Sequence, residues 1–103
     1  MGKEAEQVAD RVKTFILQIR KDYPVVTAWL FGSWAAGNQH EHSDIDIGVV
    51  VPDSVTNDQR FAIYSRARDF DINFEVVVIS EHDYISEDPV IVHEMKTKGI
   101  RVA

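Results

Sequence analysis

Residues Val25–Phe31 read Val-Val-Thr-Ala-Trp-Leu-Phe, a strand-length run with apolar side chains at both parities. Successive side chains of a strand point to opposite faces, so a run that is apolar on both needs cover on both. Val25–Phe31 is therefore expected as a central strand of a sheet with helices above and below. Two further stretches have strand length: Asp44–Val51, ended by Pro52, and Ile72–Ile79. The other periodic segments are helical. From Lys3 to Lys21, Ala5, Val8, Val12, Phe15, Ile16 and Ile19 recur at helical spacing, and Pro24 closes the segment. Asn57–Asp69 predicts a second helix with Phe61, Ile63, Tyr64 and Ala67 on or near one face. Ser80, with Asp83 three residues on, reads as a helix start. Pro89–Lys98 predicts a last short helix carrying Ile91, Val92 and Met95, capped by Gly99, with an edge strand over Ile100–Val102. The order has too few strands for a dinucleotide-binding fold. It fits the α/β class as a small mixed sheet of three to four strands flanked by helices.

At 103 residues the chain is expected to be one domain, 1–103. No Cys is present, which excludes a disulfide scaffold, a Cys-ligated zinc site and a thiol nucleophile. Seventeen acids against eleven bases give a net charge of −6, which argues against a chain that grips nucleic acid through phosphate contacts. The first residues lack the apolar core of a signal peptide, and Glu6 stands where a myristoylation motif needs Ser or Thr. No apolar run reaches membrane-spanning length, so a cytoplasmic location is expected. A domain of this size leaves no room for a separate acceptor-binding domain. An enzyme of this kind needs another molecule to present its acceptor.

The chemistry concentrates at two places. Gly32-Ser33 follows the first strand directly, and ten residues later comes Asp44-Ile45-Asp46. Residues two apart in a strand share a face, so Asp44 and Asp46 point one way while Ile45 and Ile47 point the other. Paired carboxylates repel each other and resist burial, and a divalent cation resolves that conflict. Oxygen-only ligands suit Mg²⁺ or Mn²⁺, and phosphoryl-transfer sites hold two such ions about 3.5–4 Å apart. The two halves of the pattern meet most simply if the first two strands run antiparallel with a short helical turn between them. Gly32 lets backbone approach a phosphate closely, and Ser33 is expected to cap the following turn. A third carboxylate is sought on the third strand. Glu75 is the one charge inside its apolar run and is positioned to accept a proton from an attacking hydroxyl, with Asp71 in reserve.

Gly32-Ser33, ten residues, Asp44-Ile45-Asp46-Ile47 and an acid on a later strand together resemble the nucleotidyltransferase superfamily that includes DNA polymerase beta. The length and the Gly99-Ile100 ending resemble its smallest branch, the minimal nucleotidyltransferases, and the likeness covers nearly the whole chain. It implies the polymerase beta-like fold, with Gly32 and Ser33 on the triphosphate of a nucleotide, ATP being the expected one. Asp44, Asp46 and Glu75 are implied to hold two Mg²⁺. The implied reaction moves a nucleoside monophosphate onto a hydroxyl and releases pyrophosphate. Members are commonly antitoxins paired with a helical HEPN toxin, and some silence it by adding AMP to a tyrosine. The implied partners are thus a nucleoside triphosphate and a HEPN-type protein, in a homo- or hetero-oligomer. Two departures stand out: Trp34 and Ala36 occupy places where the family has Arg, although Gly37 matches, and the third acid is usually Asp.

Each residue also has a plainer reading. Asp-x-Asp on an open strand face is ordinarily solvated, Gly-Ser alone is a turn, and Glu75 on a strand can be a surface residue. Their joint spacing after an apolar strand favours a site. His40 and His42 read as a polar loop, Trp29 and Trp34 as core with base stacking as the alternative for Trp34, and Arg60, Arg66 and Arg68 as a solvated helix face. The rival to an enzyme is an inactive antitoxin that works as a protein-binding module. A small-molecule nucleotidyltransferase and a polymerase rank below both, for want of an acceptor domain and of positive charge.

Overall fold

The computed structural model of the chain describes residues 3–37, 44–87 and 89–103. Helix α1 (Lys3–Ile19) buries Ala5, Val12, Phe15, Ile16 and Ile19 as the spacing predicts, with Ala9 buried in addition and Val8 only half-buried. It ends before Lys21, because the amides of Asp22 and Tyr23 both turn back to the Ile19 carbonyl. Strand β1 (Thr27–Phe31) is buried along nearly all its length. It leads through a four-residue helix α2 (Ser33–Ala36) to β2 (Ile45–Val51). Helix α3 (Asn57–Phe70), β3 (Phe74–Ser80), α4 (Glu81–Ser86), α5 (Val90–Lys98) and the two-residue β4 (Ile100–Arg101) complete the order. The four strands form one sheet in the order β3-β2-β1-β4. β1 is antiparallel to both β2 and β4, and β2 is parallel to β3. The parallel pair needs a crossover, and α3 supplies it.

The sheet is covered on both faces, as the doubly apolar first strand requires. On one face the side chains of α1 and α3 pack on Ala28, Leu30, Ile45, Ile47, Val49, Phe74 and Val78. Phe15, Phe70 and Phe74 form an aromatic triad there, with ring centroids 5.4–5.6 Å apart. On the other face Val92 and Met95 of α5 meet Phe31, Val50 and Ile79. Gly48 in the middle of β2 makes this close approach possible: a Cβ there would run into the Met95 sulfur.

Local signals account for most boundaries. Thr56 and Gln59 form a reciprocal capping box at the start of α3, with Thr56 Oγ1 accepting from the Gln59 amide at 3.1 Å and Gln59 Oε1 from the Thr56 amide at 2.8 Å. Ser80 Oγ accepts from the Asp83 amide at 3.2 Å and starts α4. The expected apolar face of α3 is corrected in one respect. Ile63 and Ala67, four apart, are buried, whereas Phe61 is 72 % exposed because it lies two residues, more than half a turn, from Ile63. Tyr64 lies at the boundary, and its hydroxyl accepts from the Val78 amide on the outer edge of β3 at 3.1 Å. The third strand also begins two residues later than expected, because Asp71 and Asn73 form a turn in which the Asp71 carboxylate accepts from the Asn73 amide at 2.9 Å.

Phe15 anchors the larger core. Phe15→Ala is expected to lower the unfolding free energy by about 3–5 kcal/mol, a large part of what a domain this size has. Urea denaturation measures it, and a loss below about 1 kcal/mol would show that the aromatic triad is not a structural anchor.

Candidate functional site

The site is built on one row of the sheet. Phe31, the last residue of β1, pairs with Asp46 of β2, and Asp46 pairs in turn with Glu75 of β3. Side-chain alternation puts this row on the face that α5 covers, in line with Gly48 and Val50 on β2 and with Val77 and Ile79 on β3. The row is the last one of β1, so the carboxylates of Asp46 and Glu75 stand at the rim, beyond the apolar patch under α5. Asp46 is half-buried; Glu75 and Asp44, the residue before β2, are exposed. The antiparallel pairing of β1 and β2 joined by a short helix is the arrangement the spacing calls for.

Gly32 sits against this row. Its φ of 74° and ψ of −151° lie where a side chain is strained. A Cβ there would overlap the Asp46 carboxylate oxygen, with Asp46 Cγ 3.0 Å away. Only a residue without a side chain lets backbone and carboxylate meet this closely. The expectation that Ser33 caps α2 is corrected: Gly32 occupies the N-cap, Ser33 is the first helical residue, and no side-chain cap bond forms. Gly32 and Ser33 also line a cleft of about 250 Å³ together with Phe31, Ala36, Glu94 and Lys98. Glu94 and Lys98 come from α5, far away in sequence, and the motif reading did not include them.

The electrostatics of the row are those of crowded like charges. Burial, then the negative charges of Asp44 and Glu75, push the Asp46 carboxyl above its ordinary value. Three carboxylates offer only oxygen donors, and a bound Mg²⁺ or Mn²⁺ relieves this kind of repulsion, so the residues fit such an ion. Among the described residues no three or more His, Cys, Asp or Glu side chains stand close enough together to hold a metal ion as they are placed. The carboxylates share one electrostatic neighbourhood at an open rim.

Other candidates lie elsewhere. Asp71 is engaged on the opposite side of the sheet, where it takes Arg11 Nε at 3.0 Å. Trp34 is 9 % exposed and belongs to the core under α1, with its remaining exposure in a cleft lined by Glu4, Gln7, Val8 and Arg11, away from the carboxylate row. Trp29 donates its indole N–H to the Tyr84 hydroxyl at 3.2 Å. Arg66 pairs with Asp22 at 2.8 Å on the surface, and Arg68 is exposed. His40 and His42 lie outside the described residues.

The family model for "Polymerase beta, Nucleotidyltransferase" matches residues 14–103. The chain belongs to the polymerase beta-type nucleotidyltransferase family. A curated relative, the protein adenylyltransferase MntA of Shewanella oneidensis, is 33 % identical over 72 residues, which are 69 % of this chain and 48 % of the relative. The chain thus spans about half the length of the curated relative it matches, and the likeness to the minimal branch of these nucleotidyltransferases holds. Solved structures agree on the fold. A Sulfolobus solfataricus protein assigned as a nucleotidyltransferase superposes with a TM-score of 0.67 at 20 % identity, over 98 % of this chain and 87 % of that one. A toxin–antitoxin complex with AMP-PNP gives 0.65 at 26 % identity, over 88 % of this chain and 72 % of that one. A mutant MntA–HpeT toxin–antitoxin complex gives 0.62 at 22 % identity over the same shares. Among the described residues, no helix of this nucleotidyltransferase chain is long and apolar enough to cross a membrane.

The raised Asp46 carboxyl has a measurable consequence. A carboxyl whose folded pKa exceeds its unfolded one holds its proton more tightly in the folded chain, so stability falls as pH climbs through that range. In EDTA at pH 7, Asp46→Asn is therefore expected to melt a few degrees above the unsubstituted chain, with the gap closing below about pH 4. Mg²⁺ is expected to raise the melting temperature of the unsubstituted chain more than that of the variant. A variant that melts lower at pH 7 would contradict the repulsion.

Proposed function

We propose that this chain is a Mg²⁺-dependent nucleotidyltransferase that moves AMP from ATP to a hydroxyl of a partner protein, as the antitoxin of a toxin–antitoxin pair with a helical HEPN-type toxin. The observation that carries the reading is the Asp46 carboxylate crowded by Asp44 and Glu75 and packed against the backbone of Gly32. Family membership supports the reaction class. The naming of the Shewanella relative as a protein adenylyltransferase, and the AMP-PNP in one similar toxin–antitoxin complex, support the nucleotide and the partner.

In this reading Asp44, Asp46 and Glu75 hold the metal ions, and Gly32 and Ser33 hold the triphosphate. When bound, Mg²⁺ neutralises phosphate charge and makes the attacking hydroxyl more acidic. The hydroxyl oxygen forms a bond to the α-phosphorus while the bond from that phosphorus to the bridging oxygen breaks. Pyrophosphate leaves, and Asp46 or Glu75 accepts the hydroxyl proton. The partner presents the acceptor.

Purified chain, Mg²⁺ and α-labelled ATP, added to lysate of the source organism, test this directly. A labelled protein band is expected with the α label and not with the γ label. The double variant Asp44→Asn, Asp46→Asn is expected to lower labelling at least about 100-fold, at or beyond the upper end of what loss of a metal-supporting contact costs. No band with any of the four α-labelled nucleotides would leave the chain as a binding module. A band that survives the double variant would remove the carboxylates from the mechanism.

A further inference from the structure

From Asp22 to Gln59 the sequence contains no Lys or Arg. This stretch holds Gly32, Ser33, Asp44 and Asp46, so the motif brings carboxylates and backbone to the site but no permanent cation. A nucleoside triphosphate carries several negative charges, and its phosphates ordinarily meet Lys or Arg as well as metal. A cation from another part of the fold can supply the missing charge.

We infer that Lys98, at the end of α5, supplies it and binds the β- or γ-phosphate of the nucleotide. This rests on the nucleotidyl-transfer reading of the same site. Lys98 lines the 250 Å³ cleft whose other wall is Phe31, Gly32, Ser33 and Ala36. The end of the helix is tied down there. Gly99 packs so closely on β1 that a Cβ would stand 3.0 Å from the Leu30 carbonyl oxygen, and Ile100 then pairs with Leu30. The residue before Gly99 is thereby held beside the end of β1, where Gly32 begins the cradle.

The two lysines in the last turn of α5 have different surroundings. Lys96 donates to the Tyr84 carbonyl at 2.7 Å, lies 4.1 Å over the Tyr84 ring and reaches Glu87 at 3.8 Å. Lys98 is exposed, and among the described residues it makes no ion pair. Arg101, the next cation, donates to the Ala103 carbonyl at 3.0 Å. Lys98 is thus the cation in the cleft with its donors still to use. Glu94, one turn earlier, lines the same cleft without pairing with Lys98 among the described residues.

Equilibrium dialysis of the full chain against ATP and against AMP, both with Mg²⁺, tests the assignment with Lys98→Ala and Lys98→Arg. Lys98→Ala is expected to weaken ATP binding about tenfold and AMP binding less than about twofold, the loss of one charge-assisted contact to the outer phosphates. Lys98→Arg is expected to stay within about threefold of the unsubstituted chain for ATP. An unchanged melting temperature for both variants keeps a folding effect out of the comparison. ATP binding that is equal in Lys98→Ala and the unsubstituted chain, or lost equally for ATP and AMP, would overturn the role of Lys98 and leave the site reading standing. An unsubstituted chain that binds no ATP would overturn both.

Discussion

Two carboxylates paired across adjacent strands are an unfavourable pair in any sheet. Here Asp46 and Glu75 are such a pair, and the rest of the architecture is arranged around where they fall. Had the row been two steps further along β2, they would lie under α5 beside Val92 and Met95, where an unpaired charge is costly. The register instead puts them in the last row of β1, at the rim. A one-residue slip of β2 would turn both Asp side chains into the core under α1 and α3 and expel Ile45 and Ile47. The apolar partners of those isoleucines thus enforce the position of the charges. Core packing on one face fixes where the carboxylates stand on the other.

Much of this was legible in the sequence, and for a physical reason in each case. Val25–Phe31 is apolar at both parities, and the strand is interior and covered on both sides. The stripe from Ala5 to Ile19 has one period throughout, and each of its members except the half-buried Val8 is fully buried. The spacing of Gly32-Ser33 and Asp44-Ile45-Asp46 implied two strands meeting end to start, and β1 and β2 do so. What was not legible depends on contacts between distant segments. Nothing local shows that Asp71 is held by Arg11, sixty residues earlier. The cap of α2 falls to Gly32, with Asp46 against it, and a Ser next to a Gly gives no sign of that. Phe61 fits an apolar pattern loosely, yet the helix phase set by Ile63 and Ala67 turns it to solvent.

The site draws on both halves of the chain in a divided way. The segment from β1 to β2 supplies carboxylates and close backbone, and β3 adds one acid. The C-terminal helix contributes the wall of the cleft. The division explains why a motif confined to Gly32–Asp46 identifies the family while leaving the cleft half built. In this family likeness the fold is retained at 20 % identity. The backbone register carries that likeness, and the side chains around it are free to change from one relative to another.

Gly48 is a point of close packing between helix and sheet, since a side chain there would meet the Met95 thioether. A nine-residue helix behaves as a short stiff rod, so its height above the sheet at Met95 sets the position of its far end a turn later. The missing methyl at position 48 leaves room for the Met95 thioether against the sheet, and a larger residue there has to move that flexible side chain aside. Residues that never line the cleft thus share the packing that holds its C-terminal wall, and the middle of β2 belongs to the same mechanical unit as Glu94 and Lys98.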